Sequence, residues 1–577
     1  MATKSIISNT KMHTLAQAIS AKGGASLPMT VDQMAAAVAA IPTGGGGGPS
    51  AKSIFFIDYD GTILHSYDID EFSAMADLPA NPSHSGLTAQ GWNWTKAGIE
   101  AQLAAYPEGV VWVGQKYITD DGKTRIYVRF EEGRHEPFLG LAVNGTVEID
   151  WGDGSAADTL TGTSLTYAVT IQHVYASPGE YVIKLTVLSG SFAFIGNSTT
   201  TYLLRKGTGS SANPHKAYSN AVQKIEFGRN ASIGSYAFYN CYSLTYVTLP
   251  DGITAIGYNA FAVCYSLASV TVPDGVTSIA YSAFSTCHSL ARVSIPGGVT
   301  SIEGSAFKFC YSLASITIPR EVTSIEASAF DTCCSLKSII IPDGVTTIWS
   351  STFNNCNALA SITLPKGLTN IVGYAFNNCR SLANIEIPDG VTNIGGSAFN
   401  TCYSLASIKI PNGVKSIGSN AFYSCYSLNS VKLPDGVTSI GYGAFNSCYS
   451  LGSIEIPDGV TSIEGSAFNG CYSLGSIKIP DGVTVIKSYM FYNCYSLDRI
   501  TIPEGVTSIE SNAFNSCYGV SAYYLLPKVP PTLANTNAFG GIEPDCIIYV
   551  PAGTLAAYQA ATNWSTYASY MREAAAA

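Results

Sequence analysis

Cysteines are the residues of this chain best suited to chemistry, because thirteen of its fifteen recur every 23 residues. They are Cys241, Cys264, Cys287, Cys310, Cys333, Cys356, Cys379, Cys402, Cys425, Cys448, Cys471, Cys494 and Cys517. Zinc sites use close pairs such as C-x-x-C, which are absent here, and an odd number of thiols cannot pair completely as disulfides. Cysteine is also a small, readily buried residue. We therefore predict a reduced structural column with no metal, which favours folding in a reducing compartment.

Two carboxylates, Asp58 and Asp60, are the second candidates for chemistry, in the segment I-F-F-I-D-Y-D-G-T-I-L that begins at Ile54. This segment resembles the D-x-D-G-T motif of haloacid-dehalogenase-type phosphatases. The resemblance implies that Asp58 is a nucleophile, that Asp60 is a general acid, and that Mg²⁺ is held between them. Residues 53–126 are too few for the doubly wound core that carries the partner residues. We therefore predict a strand and a turn, with no catalytic residue, and keep the phosphatase as a remote alternative.

The cysteines lie in a repeated frame, I-x-x-x-A-F-x-x-C-x-S-L-x-x-I-x-I-P-D-G-V-T-S-I, whose fixed period indicates a solenoid. Ser269–Pro273 alternates polar and apolar residues, which predicts a strand with both valines inward. Asp274-Gly275 predicts a turn, and Val276–Ile279 a second short extended piece. Phe284 and Cys287 have the i, i+3 spacing of one helical turn, so we expect them to share a face.

This frame resembles the BspA-like class of leucine-rich repeats, found in bacterial surface proteins and phage-encoded proteins. The signatures A-F-x-x-C, S-L, I-x-I-P and V-T-S-I recur over residues 222–520, in thirteen repeats. The resemblance implies a solenoid that binds a protein or a cell surface. After it, residues 521–577 predict a degenerate repeat and a C-terminal cap, with a helix from Thr554 to Met571.

Tyrosine follows the cysteine in nine of the thirteen repeats, which marks one candidate binding column. These tyrosines are Tyr242, Tyr265, Tyr311, Tyr403, Tyr426, Tyr449, Tyr472, Tyr495 and Tyr518. A half-exposed tyrosine offers a flat face and a hydrogen-bonding tip, and so can stack on a sugar ring or hold a partner. A ladder in which the rings support one another fits the pattern equally well, and the sequence leaves both possibilities open.

The residue seven positions after each cysteine marks a second candidate column, because it lies between two inward residues of the strand and points outward. Its charged members are Glu386, Lys409, Lys432, Glu455 and Lys478. We predict Glu386–Lys409 and Glu455–Lys478 as cross-strand pairs, worth roughly 0.2–1 kcal/mol each. The column either takes part in binding or only keeps a stacked surface soluble.

The chain ahead of the repeats predicts five segments. Residues 1–43 suggest two capped helices that form a docking module, and they resemble a short module of tail proteins from phages of Firmicutes-like bacteria. Residues 44–52 are a glycine-rich linker. Residues 53–126 form a small α+β unit of unknown role, in which Asp120-Asp121-Gly122 predicts a hairpin turn. Residues 190–221 form a joint or N-terminal cap for the repeats.

Residues 127–189 carry the pattern W-G-D-G-S, H-x-Y and P-G-x-Y-x-V-x-L-x-V, from Trp151 to Val187. The pattern resembles PKD domains, and the resemblance implies an immunoglobulin-like β-sandwich used as a spacer. Asp150 and Asp153 lie beside the D-G turn, where we expect them to cap the turn rather than bind a cation.

Composition limits the function classes further. Only 12% of the 577 residues are charged, the formal net charge is −10, and no run rich in Lys or Arg occurs, which argues against a nucleic-acid partner. No apolar run of about 18 residues predicts a transmembrane helix. The first residues lack the apolar region of a secretory signal peptide, and the last lack a sorting motif. From these ends we expect synthesis in the cytoplasm, then assembly and release.

We therefore predict a multidomain, mainly β protein: short N-terminal helices, an α+β unit, a PKD-like sandwich and a leucine-rich-repeat solenoid with a cap. It would be a non-enzymatic, cofactor-free phage tail fibre or receptor-binding protein located in the virion tail. Its partners would be a bacterial surface receptor, glycan or protein, and tail or baseplate proteins at the N-terminus, with no membrane insertion and with homo-oligomerisation open. The alternative is a BspA-like adhesin on the bacterial cell surface.

Overall fold

The computed structural model describes residues 53–197, 200–201, 203–204, 218 and 220–574. The predicted docking module (1–43) and linker (44–52), and much of the predicted joint (190–221), lie outside these residues. The chain forms two compact units: the first contains residues 1–299 and 309–319, and the second contains residues 300–308 and 320–577. Within the described residues, no helix combines the length and the apolar character needed to cross a bilayer.

The first compact unit opens with a small α+β module, which we define as residues 53–119. Its elements are β1 (Ile54–Ile57), β2 (Ile63–Tyr67), α1 (Ile69–Ser73), β3 (Leu87–Trp92), α2 (Lys96–Ala105) and β4 (Val111–Thr119). They form one sheet in the order β2-β1-β4-β3, with β1 and β4 parallel. Apolar runs explain the central strands, because all four residues of β1 are buried. The predicted α+β unit therefore exists.

Capping residues fix where the two helices begin, and tryptophans fill the core between the helices and the sheet. Asp68 caps α1 in a reciprocal pair with Glu71, and Thr95 caps α2 by accepting a hydrogen bond from the Gly98 N–H. Trp92 and Trp94 are buried with residues of β1, β4 and both helices. These two tryptophans therefore serve as core packing.

Long antiparallel strands follow: β5 (Thr124–Phe130), β6 (Phe138–Asp150), β7 (Asp158–Gln172) and β8 (Gly179–Phe194), then two short strands, β9 (Gly196–Asn197) and β10 (Thr200–Thr201). Strands β5 to β8 share one seven-stranded sheet with β11 (Val222–Glu226), β12 (Ala231–Ile233) and β13 (Tyr246–Thr248), in the order β13-β11-β5-β8-β6-β7 with β12 beside β8. A PKD-like sandwich would have two packed sheets, whereas β5 to β8 lie in one sheet. The PKD resemblance therefore stays a prediction.

One predicted boundary and one predicted hairpin differ from the structure. The predicted break between residues 126 and 127 falls inside β5. Asp120 to Gly122 do form a turn, with the Gly122 N–H bonded to the Thr119 carbonyl, but not a hairpin. The strands on either side pair elsewhere, β4 with β1 and β3, and β5 with β8 and β11, so this turn carries the chain from one sheet to the next.

The repeats form a parallel β-solenoid, in which most turns contribute two short strands. After β13, the first strands of the turns are Ser269–Thr271, Arg292–Ser294, Ser338–Ile340, Ser361–Thr363, Ser407–Lys409, Ser430–Lys432, Ser453–Glu455, Arg499–Ile502, Ala522–Leu525, Ile547–Val550 and Met571–Glu573. The second strands are Ser278–Ile279, Ser301–Ile302, Ser324–Ile325, Thr347–Ile348, Asn370–Ile371, Asn393–Ile394, Ser416–Ile417, Ser439–Ile440, Ser462–Ile463, Val485–Ile486, Ser508–Ile509 and Thr532–Leu533. Pairing joins equivalent residues, such as Ser430 with Ser453. The solenoid and its strands are thus as predicted.

The thirteen cysteines form the predicted buried column, and twelve of them have the same kind of hydrogen-bond partner. From Cys264 onward, the thiol donates a hydrogen bond to the carbonyl of the phenylalanine 26 residues earlier, as from Cys264 to Phe238 at 3.2 Å and from Cys402 to Phe376 at 3.2 Å. Burial raises the pKa of Cys264 well above its ordinary value. A protonated thiol that donates to main chain is neither a metal ligand nor a nucleophile.

Phenylalanine and cysteine share the interior face as predicted, but the segment between them is not helical. The residue just before the cysteine has a positive φ in all thirteen repeats, for example 64° at Thr286 and 60° at Asn378. A left-handed residue cannot continue a right-handed helix. The segment is therefore a series of tight turns, closed by bonds such as that from the Cys287 N–H to the Phe284 carbonyl.

The C-terminal cap is present, although its predicted continuous helix is wrong. Helix α3 spans Leu555–Ala560 and a 3-10 helix spans Trp564–Tyr570, with Asn563 between them at φ 69° in the left-handed region. Trp564 is fully buried 5.5 Å from the ring of Phe539, and its indole N–H donates to the Pro531 carbonyl. This tryptophan covers the end of the phenylalanine column.

Candidate binding surface

The outward row, which we define as the residue seven positions after each cysteine, differs sharply between the two compact units. In the second unit it is exposed, as predicted, at Thr363, Glu386, Lys409, Lys432, Glu455, Lys478 and Thr501. In the first unit it is buried, at Thr248, Thr271, Ser294 and Thr317. The α+β module covers these residues. It lies on the strand face, by which we mean the solenoid surface formed by the outward-pointing residues of the first strands, within the same unit.

Hydroxyl groups of the buried outward row bind the main chain of β4 and of the residue before it. Ser294 Oγ donates to the Trp112 carbonyl at 2.6 Å and lies 3.0 Å from the Gly114 N–H. Thr317 Oγ1 accepts from the Trp112 N–H at 3.2 Å and donates to the Val110 carbonyl. In these two successive solenoid turns, one hydroxyl thus serves two groups of an extended strand.

A glycine permits this close approach. A Cβ on Gly114 would lie 2.8 Å from the Cβ of Thr271, closer than real side chains come. The strand face therefore accepts β4 only because one residue of that strand has no side chain.

Amide side chains of the α+β module bind carbonyl groups of the repeats. Asn93 Nδ2 donates to the Val272 and Ser294 carbonyls at 3.1 and 3.2 Å, and Gln102 Nε2 donates to the Ile318 carbonyl at 3.0 Å. The Trp112 indole donates to Ser315 Oγ at 3.1 Å. These polar groups are thereby paired across more than 170 residues of sequence.

Lys116 adds a charged clamp at the edge of the same face. Its Nζ lies 2.8 Å from both Asp251 Oδ1 and Asp274 Oδ2, the aspartates of two successive P-D-G turns, and its side chain is only 4% exposed. Burial alone would lower the pKa of Lys116, but the two carboxylates outweigh burial and raise it. Lys116 therefore stays charged and links two adjacent solenoid turns.

The D-x-D-G-T segment forms a strand and a turn, as predicted. Asp58 is 5% exposed; its Oδ1 accepts from the Tyr117 hydroxyl at 2.8 Å, and its Oδ2 lies 2.7 Å from His84 Nε2. Asp60 Oδ1 accepts from the Thr62 N–H within the turn. Burial, followed by the hydrogen bond to Asp58, raises the pKa of Tyr117. Both Asp58 oxygens are thus engaged in holding the turn.

The same turn packs against the repeats. The Tyr59 ring lies 4.8 Å from that of Tyr246, and Ser269 Oγ donates to the Tyr59 carbonyl at 2.9 Å. This segment therefore docks the α+β module as well as folding it. His84 is part of this cluster, and the described residues contain no group of three His, Cys, Asp or Glu side chains placed to hold a metal ion.

The tyrosines form the self-supporting ladder. In the second unit, Tyr403, Tyr426, Tyr449, Tyr472, Tyr495 and Tyr518 stack with centroids 4.6–5.7 Å apart and planes within 17°. In the first unit, His288 stacks between Tyr265 and Tyr311, and Tyr242 stacks on Tyr265. Since inner rings use both faces on their neighbours, only ring edges and hydroxyls are left to meet a ligand.

The predicted cross-strand charge pairs are replaced by others. Lys409 Nζ lies 3.0 Å from Asp389 Oδ1, and Lys478 Nζ lies 2.6 Å from Asp458 Oδ1. Each lysine thus pairs with the P-D-G turn of the preceding repeat instead of Glu386 or Glu455, because its long stem leans along the strand toward that turn. Both pairs are well exposed, so they add little to stability.

Sequence reasoning missed a set of exposed aromatic side chains beside the left-handed turn before A-F. They are Tyr258, Tyr281, Trp349, Tyr374, Tyr442 and Tyr489, each 42–55% exposed. They lie five, six or seven residues before the cysteine of their repeat, and because this distance varies between repeats, aligning the repeats at one position does not reveal them. These rings keep more open surface than the ladder tyrosines other than Tyr495 and Tyr518.

Comparison with known proteins identifies the repeat frame. The family model described as "BspA type Leucine rich repeat region" matches residues 216–336, 324–451 and 438–539, in six copies, and these ranges cover more than half of the chain. None of the curated proteins matches.

Solved structures of leucine-rich-repeat proteins share the fold. One from Bacteroides ovatus is 26% identical, with a TM-score of 0.54, over 67% of this chain and 97% of that chain. A leucine rich cell surface protein from Faecalibacterium prausnitzii is 28% identical over 62% and 89%, with a TM-score of 0.37. A leucine-rich-repeat protein from T. pallidum is 38% identical over 28% of this chain and 78% of that chain, with a TM-score of 0.27. The fold likeness therefore rests on the first.

Proposed function

We propose that this chain, which belongs to the BspA-type leucine-rich repeat family, is a non-enzymatic adhesion or recognition protein that binds its ligand on the exposed strand face of the second compact unit. The observation that carries the proposal is the contrast along the outward row. Where the chain covers its own face the row has only small hydroxyl residues, whereas the open face has the long charged residues from Glu386 to Lys478 between Thr363 and Thr501. An exposed face with a fixed spacing of polar side chains suits recognition of a macromolecule.

The setting we favour is the surface of a bacterium, since BspA-like repeats are found in bacterial surface proteins. The competing setting is a phage tail, with a bacterial receptor at the repeats and tail or baseplate proteins at the N-terminus. That prediction depends on residues 1–43, which lie outside the described residues. Immunoblotting of cell fractions separates the two: an adhesin is found in the surface fraction, and a tail fibre copurifies with virions.

Binding itself is tested with the full chain, labelled with a fluorophore, on panels of bacterial and animal cells. We expect saturable binding to at least one cell type, competed by unlabelled chain. A matched pair of variants locates the surface: Lys432→Glu with Glu455→Lys alters the open strand face, and Lys184→Glu alters an exposed site on β8. Saturable binding that responds only to Lys184→Glu would contradict the proposed surface.

The absence of an enzymatic role is part of the proposal and has its own assay. The burial of Asp58 supports it, because its two oxygens face Tyr117 and His84 of the protein, whereas a nucleophile must face its substrate. We expect no Mg²⁺-dependent release of phosphate from p-nitrophenyl phosphate. Turnover that disappears in Asp58→Ala while folding is retained would establish the phosphatase instead.

A further inference from the structure

We propose that the open strand face binds an extended segment of a protein partner, with a lysine or arginine of that partner bridging acidic side chains of successive P-D-G turns. This inference rests on the proposed function and adds the class of ligand. Its basis is that the first compact unit already holds such a segment, namely β4 of the same chain.

The contacts in the first unit show how this strand face holds polypeptide. Two rows of the first strands take part: the outward row, and the serine row, which we define as the residue five positions after each cysteine. Ser269 of the serine row donates to the main-chain carbonyl of Tyr59, and Ser315 accepts from the Trp112 indole. Ser294 and Thr317 of the outward row bind main-chain groups of β4. The bound element is thus recognised largely through its backbone, which any extended segment offers.

The basic side chain has a precedent at the same edge. Lys116 follows the bound part of β4 and reaches two successive turn aspartates at 2.8 Å each. The first compact unit therefore contains a complete binding pattern. Its hydroxyl groups contact an extended main chain, and two neighbouring carboxylates contact one ammonium group.

The second unit repeats the elements of this pattern on exposed positions. Its serine row is exposed at Ser361, Ser407, Ser430, Ser453 and Ser476. Four successive turns carry exposed acidic residues, Asp435, Asp458, Asp481 and Glu504. Asp458 pairs with the exposed Lys478 and Glu504 with the exposed Lys528, and a partner's cation would compete with these two lysines. The run of Asp251 and Asp274 in the first unit is only two turns long, because the next two turns carry Gly297 and Arg320 at the equivalent position, so the run of four acidic turns belongs to the open face.

The outward row marks the difference between the two surfaces. In the first unit, the short side chains of threonine and serine let β4 come into contact with Thr271. In the second unit, Lys432 and Glu455 lie opposite each other in neighbouring strands, and their longer side chains would hold a bound segment further away. A partner therefore needs its own charges over these residues, with an acidic side chain facing Lys432. A glycan that stacks on tyrosine is disfavoured, because the inner ladder rings have no free face.

The first experiment distinguishes a protein ligand from a glycan on cells that bind the full chain. Cells are treated either with trypsin, which removes surface protein, or with periodate, which opens sugar rings. We expect trypsin to abolish saturable binding and periodate to leave the Kd within about twofold. Binding that survives trypsin and is lost after periodate overturns this proposal while leaving the proposed recognition function intact. Failure to bind any cell type contradicts both.

The second experiment tests the site with exposed residues whose replacement leaves the core untouched. The double variant Asp458→Asn/Asp481→Asn should raise the Kd about three- to tenfold, as expected for the loss of two exposed charge contacts. Ser430→Val/Ser453→Val should weaken binding by a similar factor. The matched control is Tyr442→Ser/Tyr489→Ser, which changes the exposed aromatic side chains of the same unit. Unchanged binding by both strand-face variants, or loss in the control alone, overturns the proposal.

Discussion

Single residues in this protein act through their position in the repeat. The left-handed residue before each cysteine is the clearest case: asparagine, which tolerates positive φ, lies there in Asn240, Asn355, Asn378 and Asn493, whereas the first unit also has Val263 at φ 66°. The sequence shows this position to be variable. It does not show that all occupants share a left-handed backbone, because glycine, the residue that would indicate this conformation, lies there in only one repeat, at Gly470.

The strain at Val263 leads to a prediction. Val263→Asn should raise the free energy of unfolding by about 0.5–1 kcal/mol, because a β-branched residue is disfavoured in the left-handed region. Asn378→Val should lower it, both through the same strain and through loss of the hydrogen bond from Asn378 Nδ2 to Asn355 Oδ1. Urea unfolding followed by circular dichroism measures both. Equal and small effects from the two substitutions would show that backbone strain does not limit stability here.

The buried thiols predict a loss of stability in alkali. Burial raises the pKa of Cys517 to about 12 and that of Cys546 to about 11, above the ordinary value of 9.0. A thiol whose pKa is raised by folding binds its proton more tightly in the folded state, so its contribution is complete below pH 9 and declines as the pH rises toward the folded value. We expect the urea midpoint to be level from pH 7 to about 8.5 and then to fall, with a smaller slope in Cys517→Ala. A midpoint independent of pH up to 11 would exclude buried, protonated thiols.

At the scale of elements, the α+β module and the strand face of the first turns make one interface. The sequence predicted the strands of the repeats, the small module and the charged row of the open face. It also contained the small residues Thr248, Thr271, Ser294 and Thr317, but nothing local indicated what covers them. The bond from Trp112 to Ser315 joins residues 203 positions apart, and such pairings depend on tertiary geometry that a repeat pattern does not carry.

Lys116 provides the test of this interface. Lys116→Met should lower the free energy of unfolding of the first unit by about 1–3 kcal/mol, because two carboxylates lose their hydrogen-bonded cation. Hydrogen exchange of residues 111–119, read by mass spectrometry, should accelerate. The control is Lys184→Met, since the Lys184–Asp150 pair is more exposed and should contribute less than about 1 kcal/mol. If exchange in β4 is unchanged, the clamp has no role in docking.

At the scale of the molecule, stacked turns depend on their ends, because the terminal turn would otherwise expose its apolar side. Trp564 and Tyr567 both pack on Phe539 at 5.5 Å between ring centroids. The sequence predicted the cap, and missed the interruption at Asn563 and the 3-10 helix that follows it.

Removing the cap should therefore act beyond its own residues. Trp564→Ala should destabilise the second unit by about 3–5 kcal/mol and promote self-association through the uncovered Phe539 edge. Calorimetry and light scattering measure the two effects. Tyr570→Ala, which changes an aromatic side chain of the same 3-10 helix that is not among its buried residues, is the matched control. A monomer with an unchanged melting temperature would show that the terminal turn needs no cover.

In-register pairing of equivalent residues has a consequence for the gene. Since Ser430 pairs with Ser453 as Ser407 pairs with Ser430, a stretch of DNA encoding one whole turn can be duplicated or deleted by recombination without changing any strand register. Each such event would change the sequence of lysines and glutamates along the open face and leave the column of buried cysteines continuous. Natural variants should therefore differ in length by multiples of 23 residues, and their ligand preferences should change in steps rather than by gradual drift.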